Sequence, residues 1–249
     1  MKKILAGVLA AASMLAVSAT AFATTSDKTV TKAGELTYDV AVTAPKIVLN
    51  LVMPAKMTAA LNPYGAEIKI DATDASKVVT NGIASTMYTV TNKTEDYGVY
   101  IDATAVTTIT TSDKDASGKP AWSVKGNTVT AGTKGAALAL MASKAAPTIT
   151  SKAITLPTTT ASWASNAGAL LMDSTVAADT TNKTPAGYTT VKKLAYVAAS
   201  DSGTDGTCYL TFVGLLAGED TNKPVEWKED DAINVNLVLK VSAGPKTLT

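Results

Sequence analysis

Residues 46–70, KIVLNLVMPAKMTAALNPYGAEIKI, contain two apolar runs separated by Pro54 and by a turn signal. Ile47, Leu49 and Leu51 fall on one face of an extended chain, which is the period-two pattern of a β-strand. Pro54 cannot donate a ladder hydrogen bond and is expected at a strand end. The NPYG sequence at 62–65 favours a tight turn, because proline presets φ and glycine accepts a positive φ. The stretch therefore predicts a core hairpin or strand pair of an all-β domain.

Most of the remaining chain continues this β pattern. Short segments bounded by Gly, Pro, Asn, Asp and Ser predict further strands, and they are residues 35–42, 87–92, 99–106, 122–130, 188–199, 207–216 and 233–241. Residues 87–92 and 99–106 are separated by a polar loop and predict a hairpin. The last segment alternates most cleanly, since Ile233, Val235, Leu237, Leu239 and Val241 form one apolar face. That face must be covered by a sheet of this molecule or of another.

Three segments depart from the alternation. Residues 135–144, GAALALMASK, predict a short helix, because Ala, Leu and Met favour helices, with a fully buried strand as the alternative. Residues 71–81 predict a loop or a short helical turn that ends at Asn81-Gly82. The Pro-, Thr- and Ser-rich residues 145–160 predict a crossover, which we favour, or a boundary between two subdomains. We expect an all-β antiparallel β-sandwich, Greek-key or jelly-roll-like, with one or two short helices.

Residues 1–23 have the features of a secretory signal peptide. Lys2 and Lys3 precede an apolar run, and Ala21-Phe22-Ala23 is a small-x-small cleavage site. Cleavage after Ala23 leaves one β-sandwich domain, residues 24–249. The sequence contains no later apolar run of about 18 residues that could span a membrane. We therefore expect a secreted protein, extracellular or at the cell surface, without a membrane anchor.

Charge and composition argue against several classes of function. Without Lys2 and Lys3 the 22 basic residues become 20, against 21 acidic ones, and a net charge of −1 does not suggest nucleic-acid binding. The chain has no histidine, the usual general base, so we expect no enzymatic activity and no cofactor. A hydrolase with two catalytic carboxylates is the remaining enzymatic class. With aromatic residues at 5 %, few rings are present to line a sugar-binding cleft.

Acidic residues gather in predicted loops, at 95–96, 113–115, 219–220 and 229–231. The turn at 201–205 offers oxygen ligands for calcium but lacks EF-hand spacing, so solvated turns are preferred throughout and no metal site is predicted. Cys208 lies in a strand-like segment, where we expect a buried, inert thiol, with an intermolecular disulfide as the alternative. Lysines and asparagines are numerous enough for a Lys–Asn isopeptide bond, but the sequence selects no pair.

Three features together resemble secreted β-sandwich surface proteins of Gram-positive bacteria. They are the signal peptide followed by alternating strands, the TVTNKTEDYGVYIDAT segment at 89–104, and a terminal strand introduced by Trp227 in EWKEDDAINVNLVLKV. Biofilm-matrix fibre proteins of the TasA/camelysin type and WxL-type wall proteins are the families to which the chain is similar. It lacks a Trp-x-Leu pair, and it lacks the histidines that a camelysin-like peptidase would need, so peptidase activity is not carried over. The resemblance implies a sandwich with a structural role.

We expect a non-enzymatic structural protein of the cell surface or of a biofilm matrix. The more specific hypothesis is a fibre subunit whose copies assemble by β-strand addition. Residues 24–42 or 233–241 would be the donated strand. Its partners would be further copies, other surface proteins or cell-wall polymers. The alternative is an adhesin or a module that binds carbohydrate or a host protein through the exposed rings of Tyr64, Tyr97, Trp122 and Trp163.

Overall fold

The described part of the chain is built from β-strands. The computed structural model describes residues 36–38, 48–69, 78–145, 155–201, 203–217 and 225–248, and of 36–38, 63–67 and 78–81 the backbone alone. Its strands are β1 (Leu36–Tyr38), β2 (Leu51–Val52), β3 (Ala59–Lys69), β4 (Val78–Ser85), β5 (Tyr88–Asn92), β6 (Gly98–Thr110), β7 (Ala136–Ser143), β8 (Ala161–Ala164), β9 (Ala167–Leu171), β10 (Tyr188–Val197), β11 (Gly206–Leu216) and β12 (Ala232–Gly244). The all-β prediction is confirmed. The prediction of short helices is wrong within these ranges, which contain none.

The strands form two sheets. Sheet A has the order β1-β12-β6-β10, and sheet B has the order β2-β5-β11-β7-β9-β8, with β3 and β4 attached to β11 through β4. Every strand pair is antiparallel except β1 with β12, which is parallel. One hydrophobic core takes Ile101 and Leu239 from sheet A and Leu140 and Leu210 from sheet B. The two sheets therefore share a core, as the predicted β-sandwich requires, and the Greek-key or jelly-roll connectivity stays a prediction.

The distance between the two sheets differs between the β10 side and the β12 side of sheet A. At the β10 edge of sheet A, strands β8 and β9 of sheet B pack close to β10, and Ser162 Oγ donates to the Lys192 carbonyl at 2.8 Å. A Cβ placed on Gly168 would lie 2.0 Å from the Leu194 carbonyl oxygen, so the backbones there approach as closely as glycine permits. Beside β12, by contrast, the space between the sheets stays open.

The predicted helix at 135–144 is wrong and the alternative, a fully buried strand, is confirmed, because residues 136–143 form β7. This strand lies inside sheet B between β11 and β9, and it is buried on both faces. Leu138 and Leu140 enter the core shared by the sheets, whereas Ala137 and Ala139 pack with Leu156 on the outer face. A strand buried on both faces has apolar residues at every position, so its sequence does not alternate between apolar and polar residues. A continuous run of Ala, Leu and Met is also typical of a helix, and for this reason the sequence pattern favours the wrong element. Pairing with two neighbours overrides local propensity here.

The hairpin predicted within residues 46–70 is also wrong. Strand β2 pairs with β5, and β3 pairs with β4, so the two halves of the stretch have different partners. The NPYG sequence lies inside β3, where the register shifts between Asn62↔Gly82 and Glu67↔Thr80. The turn residues therefore produce a bulged irregularity instead of a reversal. Pro54 does follow the end of β2, as predicted, and the ends of the stretch, 46–47 and 70, lie outside the described residues.

Other local predictions are corrected in the same way. Residues 122–130 form a loop that contains one isolated β-bridge, Val124↔Ala136. The prediction of a strand there is therefore wrong. The turn expected at Asn81-Gly82 lies inside β4. Strands β10, β11 and β12 confirm the segments predicted at 188–199, 207–216 and 233–241. Predictions for residues 1–35, 39–47, 71–77, 146–154 and 218–224 lie outside the described residues.

Residues 87–106 do not form the predicted hairpin, because β5 belongs to sheet B and β6 to sheet A. The chain crosses between the sheets at residues 93–97, and Asn92 anchors this crossing. Its buried side-chain amide donates to the carbonyls of Tyr97 at 2.8 Å and Ala198 at 2.9 Å, and its Oδ1 accepts from Thr94 N at 3.0 Å. One side chain therefore pairs backbone groups of the crossing and of the segment that follows β10.

We expect Asn92→Ala to lower the free energy of unfolding by about 1–3 kcal/mol, because it leaves buried backbone groups without partners. Chemical denaturation of the mature chain measures this loss. Thr91→Ala, on the neighbouring and less buried position of β5, is the control and should change the free energy by less than about 0.5 kcal/mol. An equally small effect of Asn92→Ala would show that Asn92 does not hold the crossing.

Candidate functional site

An open groove of about 1130 Å³ lies between the two sheets beside β12, and we call it the β12 groove. One wall is the apolar face of β12, and the other wall comes from sheet B. The side chains that line these walls are Ile233, Val235, Leu237 and Leu239 from β12 and Leu61, Ile83, Leu138 and Phe212 from sheet B, with residues 54–59 at the rim. Ile233, Val235 and Leu237 are only half-buried. The apolar face that the sequence predicts for this strand is thus covered along part of its length.

The described part of the chain also leaves one backbone edge of β12 without a paired strand beside this groove. Strand β6 pairs with one edge of β12 along its whole length, from Ala232 to Gly244. On the other edge, the described strand β1 meets only Leu239, Lys240 and Val241. Among the described residues, positions 232–238 therefore have no strand on that edge. An open strand edge presents unpaired N–H and C=O groups that another extended chain can pair with.

A compact charged cluster lies where the groove meets the start of β12. Lys134 Nζ lies 2.5 Å from Asp113 Oδ2 and 2.7 Å from Asp231 Oδ2, and Lys228 Nζ forms a short ion pair with Asp113. The Asp231 side chain is 1 % exposed and that of Lys134 is 15 % exposed. We call Lys134, Asp113, Asp231 and Lys228 the lysine–aspartate cluster.

Two tryptophans enclose this cluster. Trp122 and Trp227 pack edge to face with ring centres 5.2 Å apart, and both are buried. Lys134 Nζ lies 5.9 Å from the ring centre of Trp122 and 5.4 Å from that of Trp227. Ammonium groups at this distance from an aromatic face are attracted to it. The rings lie beside Lys134, whereas the side chains of Asp113 and Lys228 are 26 % and 38 % exposed, so the cluster has a shielded side and a solvent side.

The cluster keeps its four groups charged at neutral pH. The pKa of Asp113 is lowered, first by the hydrogen bond from Lys134 and then by that from Lys228. Burial acts to lower the pKa of Lys134, but its hydrogen bonds to Asp113 and Asp231 outweigh burial and raise it. Burial acts to raise the pKa of Asp231, and the hydrogen bonds from Lys134, Thr111 and the Lys228 backbone outweigh it and lower that pKa. Two positive and two negative groups therefore balance.

Sequence reasoning missed this cluster. The sequence pattern predicts solvated turns for Asp113 and Asp231 and no site for Lys134 and Lys228, and for Asp231 the prediction is wrong, since its carboxylate is buried. The residues come from the loop after β6, the segment before β7 and the segment before β12, which only the fold brings together. The available signal was Trp227 followed by acidic residues directly before the most regular strand.

The aromatic residues predicted as ligand contacts have different environments. Trp122 is 4 % exposed, so the expectation of an exposed ring is wrong there. Trp163 on β8 is half-buried and packs against the core, and Tyr97 is half-buried in the loop between β5 and β6. Tyr64 lies in β3, where the structure describes the backbone alone. Sugar binding by these residues stays a prediction.

Cys208 lies on β11 and is fully buried. Burial raises the pKa of its thiol to about 12. Because the thiolate is the reactive form of cysteine, this environment favours the inert thiol over the intermolecular disulfide.

Metal ligands and membrane-spanning helices were sought in the described ranges. No group of three or more His, Cys, Asp or Glu side chains there is placed to hold a metal ion. At the turn predicted as a calcium-binding alternative, Asp201 and Thr204 form a backbone bridge instead. The same ranges contain no helix long and apolar enough to cross a bilayer.

The chain was compared with protein-family models, with curated proteins and with solved structures, and none of the three comparisons found a match.

Proposed function

We propose that this chain is a secreted, non-enzymatic structural protein of the cell surface or extracellular matrix, and that its copies assemble by β-strand addition at β12. The observation that supports this proposal is the coincidence of two open features on one strand. No described strand pairs with one edge of residues 232–238, and the side chains of Ile233, Val235 and Leu237 line the β12 groove. A strand added there gains backbone hydrogen bonds and buries alternate side chains at once.

Of the two segments predicted as the donated strand, residues 24–42 fit this role better. Residues 233–241 are paired with β6 of their own chain, so they form the accepting edge. The register Leu36↔Leu239 sets the direction of an added strand. Continued towards the N-terminus in the same parallel register, it would bring residues 29–35 opposite residues 232–238.

The short contact of β1 favours exchange between copies. Within the described residues, β1 contributes the register pairs at Leu36, Thr37 and Tyr38, whereas β12 and β6 pair along thirteen positions. Releasing these three pairs costs few hydrogen bonds, and the same segment of a neighbouring copy can form the same pairs. Such swapping is a low-cost route to association, and a head-to-tail version continues into a filament.

Competition by the arm itself tests this proposal. A synthetic peptide of residues 24–42, added in excess to the mature chain, should suppress assembly by occupying the edge of β12. A scrambled peptide of identical composition is the control and should leave assembly unchanged. Light scattering over time measures both. Equal scattering with the two peptides would contradict the role of residues 24–42 as the donor.

A further inference from the structure

We propose that Lys134 and Asp231 condense within the folded chain into an amide bond. The cross-link would join the segment that precedes β7 of sheet B to the segment that precedes β12 of sheet A. This inference rests on the lysine–aspartate cluster alone and does not depend on assembly at β12.

The two reacting side chains are held in contact and are mostly shielded from solvent. Lys134 Nζ contacts Asp231 Oδ2 at 2.7 Å, and the side chains are 15 % and 1 % exposed. The edge-to-face pair of Trp122 and Trp227 lies beside Lys134 Nζ. Groups fixed at contact distance react with effective molarities of about 10⁵–10⁸ M. A condensation that is negligible between free amines and acids in water is thereby accelerated, and it needs to occur only once per molecule.

The surroundings of Asp231 suit attack on its carboxyl carbon. Oδ1 accepts hydrogen bonds from Thr111 Oγ1 at 2.7 Å and from Trp122 Nε1 at 3.2 Å, and Oδ2 accepts from Lys228 N at 2.6 Å. Oδ1 therefore has two donors ready for the negative charge that develops on it in a tetrahedral intermediate. Oδ2 faces Lys134 and Lys228 and is the oxygen that leaves.

Asp113 is placed to carry the protons. Its Oδ2 lies 2.5 Å from Lys134 Nζ, so it is the nearest acceptor for the ammonium proton whose removal frees the nitrogen lone pair. Because the pKa of Lys134 is raised and that of Asp113 is lowered, this transfer is uphill, and the condensation is therefore slow. Nζ then forms a bond to Cγ of Asp231. Two of the three ammonium protons pass through Asp113 to Oδ2, and the C–Oδ2 bond breaks to release water. The ammonium and the carboxylate thus become one amide and one water molecule, with no oxidant, reductant or external proton.

The charges that remain after condensation are still paired. Lys134 and Asp231 lose their charges together, and the ion pair of Asp113 with Lys228 persists. Lys192 and Asp102 provide a contrast elsewhere in sheet A. Their ion pair measures 3.0 Å, but the Lys192 side chain is 75 % exposed, so water solvates its ammonium group. We expect no condensation at that pair.

Intact-mass spectrometry of the denatured mature chain tests the cross-link. The wild-type chain should be lighter than its sequence mass by one water, about 18 Da. Lys134→Arg keeps the positive charge and should show the full sequence mass. Asp231→Asn should lose ammonia, about 17 Da, because the amide nitrogen becomes the leaving group. Tryptic digestion should yield one branched peptide that contains both Lys134 and Asp231.

Two further variants separate condensation from other sources of mass loss. Asp113→Asn should slow the loss by about 100-fold or more, since it removes the proton carrier. Lys192→Arg should keep the loss of water, because it changes only the exposed pair. A wild-type chain with its full sequence mass would overturn the proposal and leave the cluster as a plain ion-pair network. A water loss that persists in Lys134→Arg would overturn it as well.

Discussion

Val235→Lys should abolish self-assembly of the mature chain. Val235 is half-buried at the middle of the apolar face of β12 and lines the β12 groove. In the free chain a lysine there can extend its amine to solvent, but an added strand would cover it and remove that solvation. Because the native side chain is only half-buried, the variant should still fold. Negative-stain microscopy at a concentration at which the wild-type chain forms filaments measures the effect.

Ser242→Lys is the matched control for this change. Ser242 lies on the same strand, is exposed, and is not among the residues that line the groove. It introduces the same charge without blocking the open edge at 232–238, so filaments should persist. Circular dichroism and thermal unfolding should show both variants folded. Filaments of Val235→Lys like those of the wild type would exclude the β12 groove as the assembly surface.

Gly168→Ala should lower the free energy of unfolding by about 3 kcal/mol or more, which is the upper range for overpacked sites. The added Cβ would lie 2.0 Å from the Leu194 carbonyl oxygen, and backbone atoms cannot rotate away as a side chain can. Either β9 or β10 must move, and this loosens the end at which the two sheets meet. Equilibrium denaturation of the purified variant measures the loss.

Gly135→Ala is the control for this substitution. Its nearest neighbour would be the Ser123 carbonyl oxygen at 3.6 Å, an ordinary contact. The change should be within about 0.5 kcal/mol of zero or slightly stabilising, because alanine reduces the freedom of the unfolded chain. If Gly168→Ala were as mild as Gly135→Ala, the close approach of β9 to β10 would be contradicted.

Local alternation predicted the strands whose two faces have different environments. Strand β12 shows this contrast, with half-buried Ile233, Val235 and Leu237 alternating with exposed Asn234 and Asn236. The sequence therefore alternates between apolar and polar residues. Strand β7 lacks this contrast, because its outer face is covered by Leu156 and other apolar residues. The partners of β2, β3 and β5 were not predictable, since turn residues and short loops do not specify which sheet a strand joins.

The candidate site was predictable only in part. The apolar face of β12 and its need for a cover followed from the sequence. The open edge did not, because it depends on β1 pairing with only three residues of β12. The lysine–aspartate cluster depends on contacts between residues more than 90 positions apart, such as Lys134 and Asp231. Acidic residues in loops are usually solvated, so nothing in the local pattern marked Asp231 as buried.

Strand addition between copies at β12 can be measured by light scattering combined with negative-stain microscopy on the chain from Thr24 onward, across a range of concentrations. We expect a mean mass that rises with concentration and filaments one subunit wide. A monodisperse monomer at every concentration would exclude strand addition at β12.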